Sequence, residues 1–190
     1  MIDELNPRSR SDHFGSKIDR AHSPLLATGL PFVTILLGSL APLLPLLAFG
    51  PILPPFGYMI FLAWRLVRPG LLPLWTGIAL GAFDDLFSGQ PFGCAIMLWS
   101  VTLLILEVLD SRFPWRNFLQ EWASAAGLLA GYIAIAALFS GTGLGLLVLP
   151  LVIPQILLSI LLFPIIARMV SVFDRVRLLR IRDVSDSYRT

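Results

Sequence analysis

Charged residues are missing from two long stretches of this chain, Pro24 to Trp64 and Ala123 to Ala167, and apolar residues dominate both. Turn-rich or polar breaks divide the apolar sequence into six segments: Leu25–Ala48, Phe56–Val67, Leu71–Phe87, Phe92–Leu109, Trp122–Phe139 and Leu144–Val172. About 20 apolar residues in a helix cross the hydrocarbon core of a bilayer. The pattern therefore predicts an all-α integral membrane protein with six transmembrane helices. Its second segment is the shortest, and 12 residues of helix rise only about 18 Å. A full crossing there needs the stretch Pro51-Ile-Leu-Pro-Pro55, or a start nearer Phe49. The expected organisation is a polar leader (1–23), a six-helix membrane domain (24–172) and a basic tail (173–190).

Composition agrees with that reading. Of 190 residues, 56% are hydrophobic and 14% charged, where a soluble domain carries roughly a quarter charged. The leader is polar and of mixed charge, without the apolar core and cleavage site of a signal peptide. Arginine and lysine fix the expected orientation. With the N-terminus inside, the connections carrying Arg65 and Arg68, and Arg112 and Arg116, fall in the cytoplasm, as does the tail with Arg168 and five further arginines. The connections Phe49–Pro55 and Ser140–Gly143 are uncharged, and the one near Asp84 and Asp85 is acidic. All 14 basic residues then lie on one side, as the retention of positive charge in the cytoplasm requires. Both ends are expected inside. The tail from Val172 interleaves arginine with apolar residues, which suits anionic lipid at the inner leaflet and calls for no nucleic acid.

Candidate chemistry concentrates in the third segment. Gly77 and Gly81 form a small-xxx-small pair that admits a close neighbouring helix. Asp84 and Asp85 follow in the last turn, on the side of those glycines, where a carboxylate opposes the negative end of the helix dipole. Two roles remain open for the pair. One is to accept hydrogen bonds from free N–H groups at the start of the fourth helix, where Pro91 suits the first turn. The other is a proton or cation path, or a partner's arginine. Farther on, Ala123, Ala126, Gly127, Ala130, Gly131, Ala134 and Ala137 form small-residue stripes, for internal packing or for a partner's helix. Glu107, Asp110 and Arg112 mark an interfacial charge cluster, with Arg116 nearby. Trp115 and Trp122 are expected as aromatic anchors. The prolines of the first and last segments predict kinked packing helices or a broken-helix cavity.

The run Gly81-Ala-Phe-Asp-Asp85-Leu-Phe-Ser88-Gly89-Gln-Pro-Phe-Gly93 resembles the signature of the rod shape-determining protein MreD family, roughly G-x-x-x-D-L-x-S-G-x-x-x-G. Pro55 before an apolar span, then Trp64, Arg65 and Pro69, is similar too, as is Gln155…Phe163-Pro164 ahead of a basic tail. The likeness covers most of Pro55 to Arg177. It aligns Asp85 with the family acid and puts Asp84 at a usually apolar position. Ser159 stands where the family often has asparagine.

The resemblance implies a bacterial inner-membrane subunit of the cell-elongation machinery, working with an MreC-like protein and through it with MreB, RodA and the elongation transpeptidase. It also implies a bundle like the substrate-binding subunits of energy-coupling-factor transporters. Gly77, Gly81, Asp85, Ser88, Gly89 and Gly93 are the expected structural or partner-binding residues.

Absent motifs narrow the chemistry. There is no phosphate-binding Gly-rich loop, no H-E-x-x-H and no Gly-x-Ser-x-Gly. His13 and His22 both lie in the leader, and Cys94 is alone, so no catalytic residue, metal or cofactor is expected. The alternative from another class is a vitamin-like small-molecule binding subunit or transporter. It needs a polar pocket among Thr34, Ser39, Thr76, Ser100, Thr102, Ser124, Gln155 and Ser159.

Overall fold

Prolines and glycines punctuate the apolar sequence, and the helices fall between them. The computed structural model describes residues 24–43, 53–113, 117–140 and 149–177. Helix α1 spans Pro24–Ser39 and leads into a single 3-10 turn, Ala41–Leu43. Then come α2 (Phe56–Val67), α3 (Thr76–Phe87), α4 (Cys94–Arg112), α5 (Phe118–Phe139) and α6 (Leu149–Arg177). The described residues contain no strand. The leader, the Leu44–Ala48 end of the first expected segment, Trp115, Arg116, Gly141–Gly143, the Leu144 start of the sixth and the tail beyond Arg177 lie outside the described residues.

All six expected segments form helices, but only α4, α5 and α6 are long and apolar enough to cross a membrane. Helix α3 starts at Thr76 instead of Leu71, because the chain turns through Pro73, whose carbonyl accepts from the Thr76 amide and hydroxyl. Helices α2 and α3 have 12 residues each, about 18 Å against the roughly 30 Å of a hydrocarbon core. Helix α2 ends before Pro69, which has no N–H to continue it.

The shortest expected segment is the centre of the bundle. From Gly57 to Arg65 every residue of α2 is buried, as suits a helix apolar on all sides. The Tyr58 ring stacks on Tyr132 of α5 at 4.1 Å, and its hydroxyl bonds Thr102 of α4 at 2.8 Å. Phe61 stacks on Trp99 of α4 at 4.6 Å. The Trp64 indole N–H donates to Thr34 of α1 at 2.8 Å.

Charge pairs close the end of the bundle where α2 and α4 finish, termed here the arginine end. Arg65 is 3% exposed and bonds Glu107 at 2.8 Å and Asp110 at 2.9 Å. Arg68 bonds Asp174 of α6 at 2.8 Å. This corrects the expected cluster: the cation that Glu107 and Asp110 share comes from α2, because α2 and α4 finish side by side. The acids are 65% and 23% exposed, so the arginine is the buried member.

Two further expectations resolve in packing. Helix α6 runs unbroken through Pro154 and Pro164. Pro164 leaves the Ile160 carbonyl without its helical donor, and the Trp122 indole of α5 supplies one at 3.4 Å. The small-residue stripe of α5 divides: Ala137 packs against the core, but the two glycines touch no neighbouring helix. Ala125, Leu129, Tyr132, Ile133 and Ala136 point inward, whereas an added Cβ at Gly127 or Gly131 would meet nothing within 4 Å.

Removing the buried member of an ion cluster leaves its partners uncompensated. Arg65→Ala is expected to lower stability by about 3 kcal/mol. Glu107→Ala should cost less than about 1 kcal/mol, since its carboxylate is mostly exposed. Unfolding in detergent, read by tryptophan fluorescence, checks the order.

Candidate functional site

The end of the bundle opposite the arginines is built by the α3–α4 turn. Gly77, Gly81 and Asp85 recur at spacing four, so they share one face of α3, and that face meets α4. A Cβ on Gly81 would come within 2.7 Å of the Ile96 Cα, and one on Gly77 within 3.0 Å of the Ser100 Cα. A side chain at Gly81 would force the backbones apart, and one at Gly77 would press against α4. The two backbones are therefore in contact, and Asp85 is carried to the start of α4. Its carboxylate accepts from the amides of Gly93 and Ala95 at 2.8 Å and Ile96 at 3.2 Å. These N–H groups have no carbonyl within α4 to bond. Of the two roles open for the acids, Asp85 takes the first.

The turn between the helices supplies the geometry. Gly89 and Gly93 adopt φ of +70° and +99°, values that a side chain disfavours. Gly93 is the residue before α4. Pro91 is not in the first turn of α4, as its position suggested. It lies ahead of the helix and accepts from the Cys94 amide through its carbonyl at 3.1 Å. The expected residues Gly77, Gly81, Asp85, Gly89 and Gly93 thus form one hairpin. Ser88 does not join their seam.

Ser88 faces elsewhere, with Asp84. Successive helical residues point about 100° apart, so the packing of Asp85 on α4 turns Asp84 toward α1, α2 and α5. There it lines a cavity of about 220 Å³, together with Ser39, Ser88, Gln90, Tyr132 and Gln155. A second cavity of about 230 Å³ adjoins it and shares Pro55, Gln90, Tyr132 and Gln155. Asp84 is 6% exposed. The Tyr132 hydroxyl donates to it at 3.4 Å and accepts from the Gln90 amide at 3.4 Å. The Gln155 amide donates to the Leu53 carbonyl at 2.6 Å and so holds α6 against the proline-rich connection.

The sequence pattern named Asp84, Ser39, Ser88 and Gln155 separately but did not bring them together, nor with Tyr132. It placed the acid of interest at Asp85 and left Gln90 out of the polar inventory. It also missed Gly57, whose missing side chain makes room for Asp84: a Cβ there would meet the Ser39 hydroxyl and lie 3.0 Å from the Asp84 carboxylate. The available signal was a second acid next to a structural one, because two neighbouring helix positions cannot serve one partner. No group of three or more His, Cys, Asp or Glu side chains suited to a metal occurs among the described residues. Among the described residues the wall holds one carboxylate, hydroxyls and amides, groups that can accept and donate hydrogen bonds.

The described residues form an all-α fold of six α-helices, three of them long and apolar enough to cross a membrane. No protein-family model, curated protein or solved structure matches it.

The two acids are expected to separate on mutation. Asp85→Ala strands three amides and should destabilise the fold by about 3 kcal/mol, given some 1–3 kcal/mol for a buried group left without its partner. Asp84→Asn should change stability by less than about 1 kcal/mol, because the one long bond it receives survives in the amide. Denaturant unfolding of the two variants beside wild type measures the difference.

Proposed function

We propose that this chain is a non-catalytic scaffold subunit of a bacterial cell-elongation complex, embedded in the inner membrane by six helices with both ends in the cytoplasm. It binds a membrane-anchored, MreC-like partner and supports peptidoglycan synthesis along the cell's length through MreB, RodA and the elongation transpeptidase. The observation that carries this reading is the open face of α5. Small residues let helices approach closely in lipid, where apolar surface alone provides no drive to associate. Helix α5 has such residues at Ala123, Gly127 and Gly131, and it spends none of the glycines on its own bundle.

Two features support the reading. The stretch that resembles the family signature, Gly81 to Gly93, folds as a single capped hairpin. The ion pairs of Arg65 and Arg68 lie at one end of the bundle and Asp84 and Asp85 at the other, the distribution that retention of positive charge in the cytoplasm favours. Exposed apolar side chains such as Leu104, Val108, Leu157, Leu161 and Ile165 suit contact with lipid tails.

Gly127→Leu and Gly131→Leu place bulk where the chain itself has none. Each is expected to leave the unfolding midpoint unchanged and to reduce recovery of a co-expressed MreC-like partner at least tenfold. Depletion of the wild-type protein should cost cells their rod shape. Partner recovery unchanged in both variants, with normal shape after depletion, refutes the scaffold.

A further inference from the structure

A carboxylate withdrawn from water needs a counter-charge or several donors in its place. Asp85 has three. Asp84 is equally buried and receives one bond, at 3.4 Å from the Tyr132 hydroxyl. The Ser39 hydroxyl, 2% exposed, lies against the same carboxylate. The Ser88 hydroxyl and the Gln90 carbonyl oxygen are buried without a partner and line the same cavity. Among the described residues, no Arg, Lys or His lines either cavity. The paired arginine nearest along α2, Arg65, is eight positions past Gly57, about 12 Å away. The wall therefore offers a carboxylate and several acceptors, and no cation among the described residues pairs with them.

Size separates the candidate occupants. A single water needs roughly 10–15 Å³ of such space, and the cavity has about 220 Å³, with another of about 230 Å³ adjoining. A bare ion would leave most of it unfilled. A molecule of several heavy atoms fits, and the Phe56 and Tyr132 rings in the wall suit a cationic head.

We infer that this cavity binds a small molecule bearing a primary ammonium group, whose charge pairs with Asp84 and whose N–H groups donate to Ser39, Ser88 and Gln90. The site is independent of the α5 face and holds whether or not the chain is a scaffold. The ammonium group is available from a free amine or from an ethanolamine lipid headgroup.

Full-length protein in phosphatidylglycerol nanodiscs distinguishes these sources. Ethanolamine is titrated against ethylene glycol, a neutral molecule of similar size, and in a second arm phosphatidylethanolamine is added to the disc. Binding is followed by the unfolding midpoint and by native mass spectrometry. The expected result is a rise with ethanolamine or with the amino lipid and none with the glycol, reduced at least tenfold in apparent affinity by Asp84→Asn. Ser88→Leu, which fills the cavity and leaves the carboxylate in place, should abolish the response and covers the case in which Asp84→Asn fails to fold. A free-amine response assigns a solute site; a response confined to the amino lipid assigns a headgroup site. Absence of both, an equal response to ethylene glycol, or wild-type affinity in either folded variant overturns the inference.

Discussion

The Asp85 carboxylate is the joint on which this bundle depends. It replaces the missing acceptors of the first turn of α4 and does so from the last turn of α3, two helix ends that would otherwise be buried together with unsatisfied groups. Gly77 and Gly81 bring the joint into range by letting the backbones touch. One stripe at spacing four therefore both docks α4 and caps it. The placement of Asp84 follows. With Asp85 committed to α4, the preceding residue is directed into the space between α1, α2 and α5, and a polar cavity exists because a carboxylate has to be accommodated there.

The two ends of the bundle solve opposite problems. At the arginine end, charges from α2, α4 and α6 meet and neutralise one another, with Arg65 buried between two acids and Arg68 on Asp174. At the other end one acid is satisfied by backbone amides, and the second keeps a single long hydrogen bond. Helix α2 joins the two. Too short to span a bilayer alone, it is wrapped by its neighbours, and aromatic stacking with Trp99 and Tyr132 fixes its depth. A helix in that position needs no length to reach lipid on either side, and this explains how a 12-residue segment is compatible with the bundle.

Much of this was legible in the residue pattern, for physical reasons. Apolar runs between polar or turn-rich breaks mark every helix, and the spacing of Gly77, Gly81 and Asp85 identifies a docking face because helical periodicity is local. Interactions between distant segments were not legible. That Arg65 is the partner of Glu107 and Asp110 depends on where α2 and α4 finish relative to each other. The stripe on α5 looked like a packing surface, yet which side of a helix faces its own bundle is decided by the neighbours. The same limit hid Asp84, since its surroundings come from α1, α2 and α5. Pro164 was readable as a lost hydrogen bond, but its repair by Trp122 required the α5–α6 contact.

The division of labour between the adjacent acids is tested most directly by their access to water. In a Cys94→Ser background, single cysteines at positions 84 and 85 would be exposed to a small cationic thiol reagent in the purified protein. Asp84→Cys is expected to react many times faster than Asp85→Cys, because the first opens on the cavity and the second is sealed against α4. Equal rates, or faster reaction at position 85, would contradict the capped hairpin and the cavity that follows from it.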